Sequence, residues 1–303
     1  MKRAIVTGAT GAIGIALIRE LISRNIEVMV LCRENSKRLS RIPDHPLVTK
    51  KYCSLSEIVS LQNDTGKEYD VFFHFAWAGT TGADRNNMHL QNDNIRFALD
   101  AVEAAKRFGC SVFIGAGSQA EYGRIDGEYP LTAFTPAFPE NGYGMAKLCA
   151  GEMTRVRAEQ LGIRHIWMRI LSVYGPYDGE NSLVSCIIRD LENNIPPRCT
   201  KGEQEWDYLY SGDAARAFIA AAEKGINGKI YPLGGGAHRP LSTYISDIRD
   251  VVNPELDIDF GAIPYNNKQV MYLCADTSEL ERDTGWSPTM EFQNGIKEIL
   301  ATR

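Results

Sequence analysis

Tyr143 and Lys147 stand four residues apart in the run Tyr143-Gly144-Met145-Ala146-Lys147, and Ser118 lies upstream of them. On a helix this spacing sets a phenol and an ammonium on one face, about one turn apart. The ammonium stabilises the phenolate, so the spacing predicts a Tyr143 pKa moved from its usual value of about 10 towards neutrality. A tyrosine tuned in that way passes a proton at a carbinol or carbonyl oxygen while a cofactor moves hydride at the carbon. Alone, a tyrosine and a lysine at this spacing are commonplace on helices. With Ser118 and the glycine-rich opening of the chain, they become the outline of a redox site.

That opening is Gly8-Ala9-Thr10-Gly11-Ala12-Ile13-Gly14, placed between a short apolar strand at residues 4–7 and a helical pattern over 12–24. The first glycine permits positive φ and the second a close backbone approach to a pyrophosphate. The third lets helix and strand touch, while the helix N-terminus attracts the anion. Gly8, Thr10, Gly11, Ala12, Ile13 and Gly14 are therefore expected to hold a dinucleotide. The end of the second strand chooses which one, because a carboxylate there bonds the adenosine ribose 2′-hydroxyl of NAD. Here the run is Leu31-Cys32-Arg33-Glu34. Cys32 takes the place of the acid, and Arg33, helped by Lys37 and Arg38, can face a 2′-phosphate. NADP is expected over NAD; the alternative is that Glu34 turns inward and restores an NAD preference.

The elements needed to position these groups are legible in the apolar periodicity. Strand patterns at 27–33, 71–76, 111–115 and 165–171 alternate with helical patterns at 92–108 and 142–161. Such alternation implies a parallel sheet covered on both faces. After Tyr174-Gly175-Pro176 the elements shorten and prolines and glycines punctuate them, as in a smaller second lobe. At 303 residues, 44% hydrophobic and 23% charged, the composition is that of a globular protein with a large core. A formal net charge of −5 argues against nucleic acid or a membrane surface as the main partner. The chain runs straight into its first strand with no signal pattern. Its seven cysteines form no Cys-x-x-Cys pair, and its five histidines have no metal-ligand spacing. A cytoplasmic protein with reduced thiols and no metal is expected.

Several further runs carry a family resemblance. His74-Phe75-Ala76-Trp77-Ala78 is similar to a His-Leu-Ala-Ala strand end, and Gly117-Ser118-Gln119-Ala120-Glu121-Tyr122-Gly123 to a serine-rich segment ending in Tyr-Gly. Asn94 falls in the mid-chain helix at a family asparagine. Residues 169–176 resemble an Arg-x-x-Asn-x-Tyr-Gly-Pro run, and residues 207–215 an Asp-Tyr-Ile segment. Over nearly its whole length the chain resembles the extended short-chain dehydrogenase/reductases, in the branch of nucleotide-sugar epimerases, dehydratases and reductases. The resemblance implies an α/β, Rossmann-like doubly wound parallel sheet over 1–171 and a smaller C-terminal substrate-binding lobe over 172–303. Part of 206–235 is expected to pack back on the first domain. It implies that Ser118 bonds the reacting sugar oxygen, that Tyr143 exchanges a proton with it, and that Lys147 holds the nicotinamide ribose. Phe75 and Ala76 join the cofactor set. Gln119, Ser172, Trp77 and Trp206 face a substrate, expected to be a nucleotide sugar. A homodimer through the helices at 92–108 and 142–161 is implied as well.

Departures from the pattern narrow the chemistry. The family's 4,6-dehydratases carry an Asp-Glu pair directly after the hydroxyl residue, and here those positions are Gln119 and Ala120. Glu121 lies one residue further on, where it should aim elsewhere. Water elimination is therefore disfavoured, which leaves reduction of a 4-keto sugar or, as the alternative, 4-epimerisation; a non-catalytic dinucleotide sensor is the third reading. Ser172 replaces the family's substrate asparagine, Trp206 replaces an arginine, and Gln269-Val270-Met271 occupy the place of another. A diphosphate would then need Arg198, Lys201 or Arg239. Trp206, Tyr208 and Tyr210 can form a stacking wall or simply a half-buried strand.

Overall fold

Short runs of buried Val, Ile, Phe and Ala make the first strands, and amphipathic helices between them cover their two faces. The computed structural model describes residues 1–125, 127–267 and 269–303. In order come β1 (Arg3–Thr7), α1 (Ala12–Ser23), β2 (Glu27–Cys32), β3 (Val48–Tyr52), β4 (Val71–His74), α2 (Met88–Arg107), β5 (Val112–Ser118), α3 (Gly142–Leu161) and β6 (Arg164–Ile170). The second half adds β7 (Ser172–Tyr174), α4 (Leu183–Glu192), β8 (Arg198–Cys199), β9 (Glu205–Trp206), β10 (Tyr208–Tyr210), α5 (Ser211–Lys224) and β11 (Ile230–Leu233). It ends with β12 (Arg239–Pro240), α6 (Leu241–Val252), β13 (Asp259–Phe260), β14 (Tyr272–Leu273), α7 (Ser278–Thr284) and α8 (Phe292–Ala301). The central sheet has seven strands, all parallel, in the order β11-β6-β5-β4-β1-β2-β3.

Alternate residues of each strand feed two cores, as the two-residue period of a strand requires. Ala4, Val6, Val28, Val30 and Ile166 pack with α1 and α5 on one face, while Ile5, Met29, Phe72 and Phe113 pack with α2 on the other. α2 starts a turn earlier than its apolar pattern, because Asn87 caps it by accepting the Leu90 N–H at 3.2 Å. Nothing in the apolar pattern announces β3. It is an edge strand whose Thr49, Lys50 and Tyr52 face solvent, so no alternation marks it.

The chain after β6 does not form a lobe by itself. α5 packs on α1, and β11 pairs with β6 as the last strand of the central sheet. The remainder gathers α4, α6 and α8 around Tyr174, Val184, Ile188, Ile245 and Ile296. Asp207, between β9 and β10, ties together the segments that follow β11 and β14: its buried carboxylate accepts N–H bonds from Gly235 at 2.5 Å, Gly236 at 3.2 Å and Ala275 at 3.0 Å.

A ladder of rings crosses the sheet towards the carboxyl ends of its strands. Phe72, Phe113, His165 and Trp167 stack in succession at 6.0, 5.8 and 6.1 Å. Burial pushes His165 down to about 3, so it is a neutral member of the stack, with Nε2 bonded to Thr154 Oγ1 at 3.0 Å. Trp167, 1% exposed, fits only because Gly115 and Gly117 on β5 and Gly151 on α3 offer no Cβ against its ring. A Cβ on Gly151 would lie 2.9 Å from the indole. Replacing Gly151 with Val should therefore destabilise the fold by about 1–3 kcal/mol through overpacking, read as a lower denaturant midpoint with an unchanged slope.

Candidate active site

Strand order reverses between β1 and β4, which are neighbours in the sheet although β2 and β3 separate them in sequence. Ligands of such sheets bind outside the strand ends at that point. Gly8 sits there with φ of 68°, and a Cβ on it would come within 2.7 Å of the Ala76 nitrogen and the Phe75 carbonyl carbon. A Cβ on Gly14 would press on the Gly8 oxygen and Ala9, so α1 and β1 meet only through glycine. Gly11 caps α1 with no side-chain bond to its first amides, leaving these N–H groups to the crevice. Thr7 Oγ1 joins the two strand ends, accepting from the Ala76 N–H at 3.2 Å and bonding His74 Nδ1 at 3.0 Å.

The resulting crevice, about 470 Å³, is lined by Gly8, Thr10, Cys32, Arg33, Phe75, Ala76 and Trp77, together with Ser36 and Ser54. Gly11, Ala12, Ile13 and Gly14 form the helix start behind it rather than its lining. These features fit a dinucleotide: a glycine cradle, uncapped helix amides and a hydroxyl-edged rim. Arg33 and Ser36 stand on the rim, while Glu34, Lys37 and Arg38 are exposed and off the lining.

Ser118 ends β5 and Tyr143 begins α3, whose cap Asn141 accepts the Gly144 N–H at 2.9 Å. The Ser118 hydroxyl lies close enough to the Tyr143 phenol to favour its ionisation. Lys147, one turn on and 3% exposed, donates to the Ala116 carbonyl at 2.6 Å and lies 3.8 Å over the Trp77 ring. Its Nζ is 5.9 Å from the centre of the Tyr143 ring. Ser118, Tyr143 and Lys147 thus converge on one wall, with Trp77 set edge-on to Tyr143 at 6.2 Å.

The electrostatics correct the expectation for Tyr143. Its pKa is raised above the usual phenol value: burial pushes it up, and the Ser118 hydroxyl and the Arg85 guanidinium only partly oppose this. Lys147 is itself pushed down to about 7 by burial, against the attraction of the Glu121 carboxylate. Desolvation outweighs the phenol–ammonium pairing that the Tyr-x-x-x-Lys spacing suggested. At neutral pH, Tyr143 is a protonated phenol, and so a proton donor.

Gln91 and Arg85 of this wall belong to no motif, and Glu121 and Asn94 lie in runs that the resemblance marks without showing what they bond. The fully buried Glu121 carboxylate accepts from Ser118 N at 2.7 Å, Trp167 Nε1 at 3.0 Å and Arg169 Nε at 2.7 Å. It is turned into the protein, with both oxygens occupied. Gln91 and Asn94 on α2, each 1% exposed, clamp the segment after β4. Gln91 Nε2 donates to Gly79 O and Asp84 O at 2.9 Å, and Asn94 bonds both the N–H and the C=O of Ala78 at 2.9 Å. The clamped segment carries Arg85, whose guanidinium lies 4.3 Å over the Tyr143 ring.

Towards the second lobe, Gln119 and Ala120 follow Ser118 in a short turn, and neither can act as an acid or base. The Trp206 indole N–H donates to Ser172 Oγ at 2.9 Å, so the two substitutions at expected substrate contacts bond each other. Tyr208 and Tyr210 pack against Tyr174, as a half-buried strand rather than a stacking wall. Of the candidate diphosphate contacts, Arg239 is ion-paired with Asp247 at 2.5 Å and stacked on Tyr244, Arg198 lies 3.9 Å from Asp259, and Lys201 is exposed. Gln269, Val270 and Met271 precede β14, with no guanidinium among them. Among the described residues no group of three or more His, Cys, Asp or Glu is placed to hold a metal ion, and no helix is long and apolar enough to cross a membrane.

Residues 4–234 match the model of the NAD dependent epimerase/dehydratase family. The chain is 25% identical to CDP-abequose synthase of Salmonella typhimurium over 306 residues, 98% of this chain and 96% of that protein. It is also 25% identical to dTDP-4-dehydro-6-deoxyglucose reductase of Escherichia coli over 312 residues, again 98% and 96% of the two chains. Its fold superposes on UDP-glucose 4-epimerase of Thermotoga maritima, solved with UDP-glucose, with a TM-score of 0.86 at 20% identity, covering 99% and 98% of the two chains.

The depressed Lys147 amine has a measurable consequence. Between about 7 and its ordinary 10.5, the unfolded chain holds a proton that the folded chain does not, so this group makes folding more favourable as pH rises through that window. Lys147→Met should remove the effect. In denaturant titrations from pH 7 to 9.5, the wild type should gain on the variant by up to about 1.4 kcal/mol per pH unit. A constant difference between the two would contradict the buried, deprotonating amine.

Proposed function

Because the chain belongs to the NAD dependent epimerase/dehydratase family, we propose that it is an NAD(P)-dependent oxidoreductase of nucleotide-linked sugars that reduces a 4-keto group. The observation that carries this reading is the nearness of a protonated Tyr143 phenol to the Ser118 hydroxyl, against the Trp77 ring that lines the dinucleotide crevice, while the nearby carboxylate, Glu121, is locked inward. A bound nicotinamide dinucleotide supplies the hydride. Ser118 orients the ketone oxygen, and Tyr143 donates a proton to it as the carbon is reduced, so a ketone becomes an alcohol. Lys147, beside Tyr143 and against the Trp77 ring, holds the nicotinamide ribose. Phe75 and Ala76 shape the floor beneath it.

The absence of a proton acceptor at Gln119 and Ala120 disfavours water elimination. The same Ser-Tyr-Lys set serves a 4-epimerase, which is the alternative. Reduction is favoured by Arg33 on the crevice rim, beside Cys32 where an NAD-selecting acid would sit. Those residues suit a 2′-phosphate and hence NADP, the cofactor of enzymes that take up fresh hydride in each cycle. The similarity to a reductase of a dTDP-linked 4-keto sugar supports the same substrate class. Trp206, bonded to Ser172, and Gln119 are proposed to face the sugar nucleotide. Seven free thiols suit the cytoplasm.

A homodimer through α2 and α3 is part of this reading. Met145, Cys149, Met153 and Val156 recur at four, four and three residues along α3, which makes an exposed, largely apolar stripe.

The decisive experiment is incubation with NADPH or NADH and a panel of nucleotide sugars and their 4-keto forms, followed by mass analysis. A gain of two hydrogens, faster with NADPH, is expected. Unchanged mass with altered retention means an epimerase, and lost water overturns the reading. Tyr143→Phe should lose at least a hundred-fold in turnover while still binding cofactor. Sedimentation at micromolar concentration should give twice the 33.7 kDa chain mass; a monomer refutes the α2–α3 interface.

A further inference from the structure

The cation nearest the Tyr143 ring comes from neither its own helix nor any of the motifs. Arg85 lies 4.3 Å over the ring, against 5.9 Å for Lys147 Nζ. It belongs to a short turn, Gly82–Asn86, that is fastened on three sides. Its own Nη1 donates to Thr80 O at 3.1 Å. The buried Gln91 amide grips Asp84 O, one residue before it. Asn86 Oδ1, one residue after it, accepts the Gly142 N–H at 3.0 Å and so ties the turn to the residue preceding Tyr143. No carboxylate among the described residues neutralises Arg85. Lys147, by contrast, is turned to the Ala116 carbonyl and the Trp77 face.

We propose that Arg85 is a positioning residue for the Tyr143 phenol, holding its ring from above and adding a cationic charge, beyond that of Lys147, that stabilises the phenolate left after proton transfer. This rests on Tyr143 being the proton-transfer group. A guanidinium suits the task because it stays charged when partly buried and stacks flat on an aromatic face. The Lys147 amine sits farther from the ring, with the Ala116 carbonyl and the Trp77 face as its near contacts. The other groups facing the phenol are the Ser118 hydroxyl, which favours its ionisation, and the Glu121 carboxylate, which opposes it. Arg85 is the cation that offsets Glu121. The donor therefore keeps its proton at rest and can still part with it.

The test reads Tyr143 directly, without a sugar. The full chain is labelled with 3,5-difluorotyrosine, whose ring substituents bring phenol ionisation down into an accessible range. The Tyr143 fluorine resonance is assigned by its loss in Tyr143→Phe and titrated with NADPH and, separately, with NADH present. Arg85→Met should raise the Tyr143 midpoint by a unit or more, and Arg85→Lys should recover part of the shift. Lys147→Met should move it less than Arg85→Met does. A variant whose resonance fails to ionise up to the highest pH at which it stays folded counts as raised. The proposal is overturned by an unchanged midpoint in Arg85→Met, by a larger shift in Lys147→Met, or by a parent chain whose Tyr143 does not ionise at all. A failed sugar panel would leave this titration readable, and a flat titration would leave the sugar chemistry standing.

Discussion

One buried carboxylate organises the site. Glu121 is fully excluded from water and takes hydrogen bonds from the Ser118 backbone, the Trp167 indole and the Arg169 guanidinium. A buried charge is tolerable only when paired and fully bonded, so each donor is held where the carboxylate needs it. Ser118 is thereby fixed at the end of β5. Trp167, fixed in turn, defines a socket that only Gly115, Gly117 and Gly151 can line. Gly151 lies on α3, so the same socket sets how closely the helix carrying Tyr143 and Lys147 approaches the sheet. The Ser118 hydroxyl on β5 and the Tyr143–Lys147 pair on α3, distant in sequence, are brought together by packing around a single charge.

Burial, more than pairing, sets the protonation states. Tyr143 is raised and Lys147 lowered because each loses water, and the charges around them only moderate this. A protonated phenol beside a weakened ammonium is ready to give a proton, which suits the ketone side of a carbonyl–alcohol couple. His74 and His165 show the same rule in the core: burial drives both down to about 3, so both are neutral partners for threonine hydroxyls.

The second half of the chain turns chemistry-bearing residues to structure. Asp207 is spent on three backbone N–H groups, and Asp213 on those of Thr289 and Met290. Arg239 is stacked on Tyr244 and paired with Asp247, and Trp206 is bonded to Ser172. The proposed substrate face therefore holds the Trp206–Ser172 pair where a pair of guanidinium groups was sought.

The sequence by itself determined the alternating architecture, the glycine cradle and the placing of Tyr143 and Lys147 on one helix face, because these follow from local periodicity and from turns that only glycine can make. It also told that Gln119 and Ala120 cannot eliminate water, since that depends on residue type alone. Tertiary structure decided what depends on neighbours distant in the chain. β3 was hidden because an edge strand needs no apolar alternation, and the full extent of the central sheet was hidden because β11 arrives from beyond residue 171. Arg85 had no motif, since its place over Tyr143 comes from amides on α2 and from Asn86 rather than from spacing. The sign of the Tyr143 shift was misjudged for the same reason: spacing reveals an ammonium one turn away, but only the packed fold reveals how much water both groups have lost.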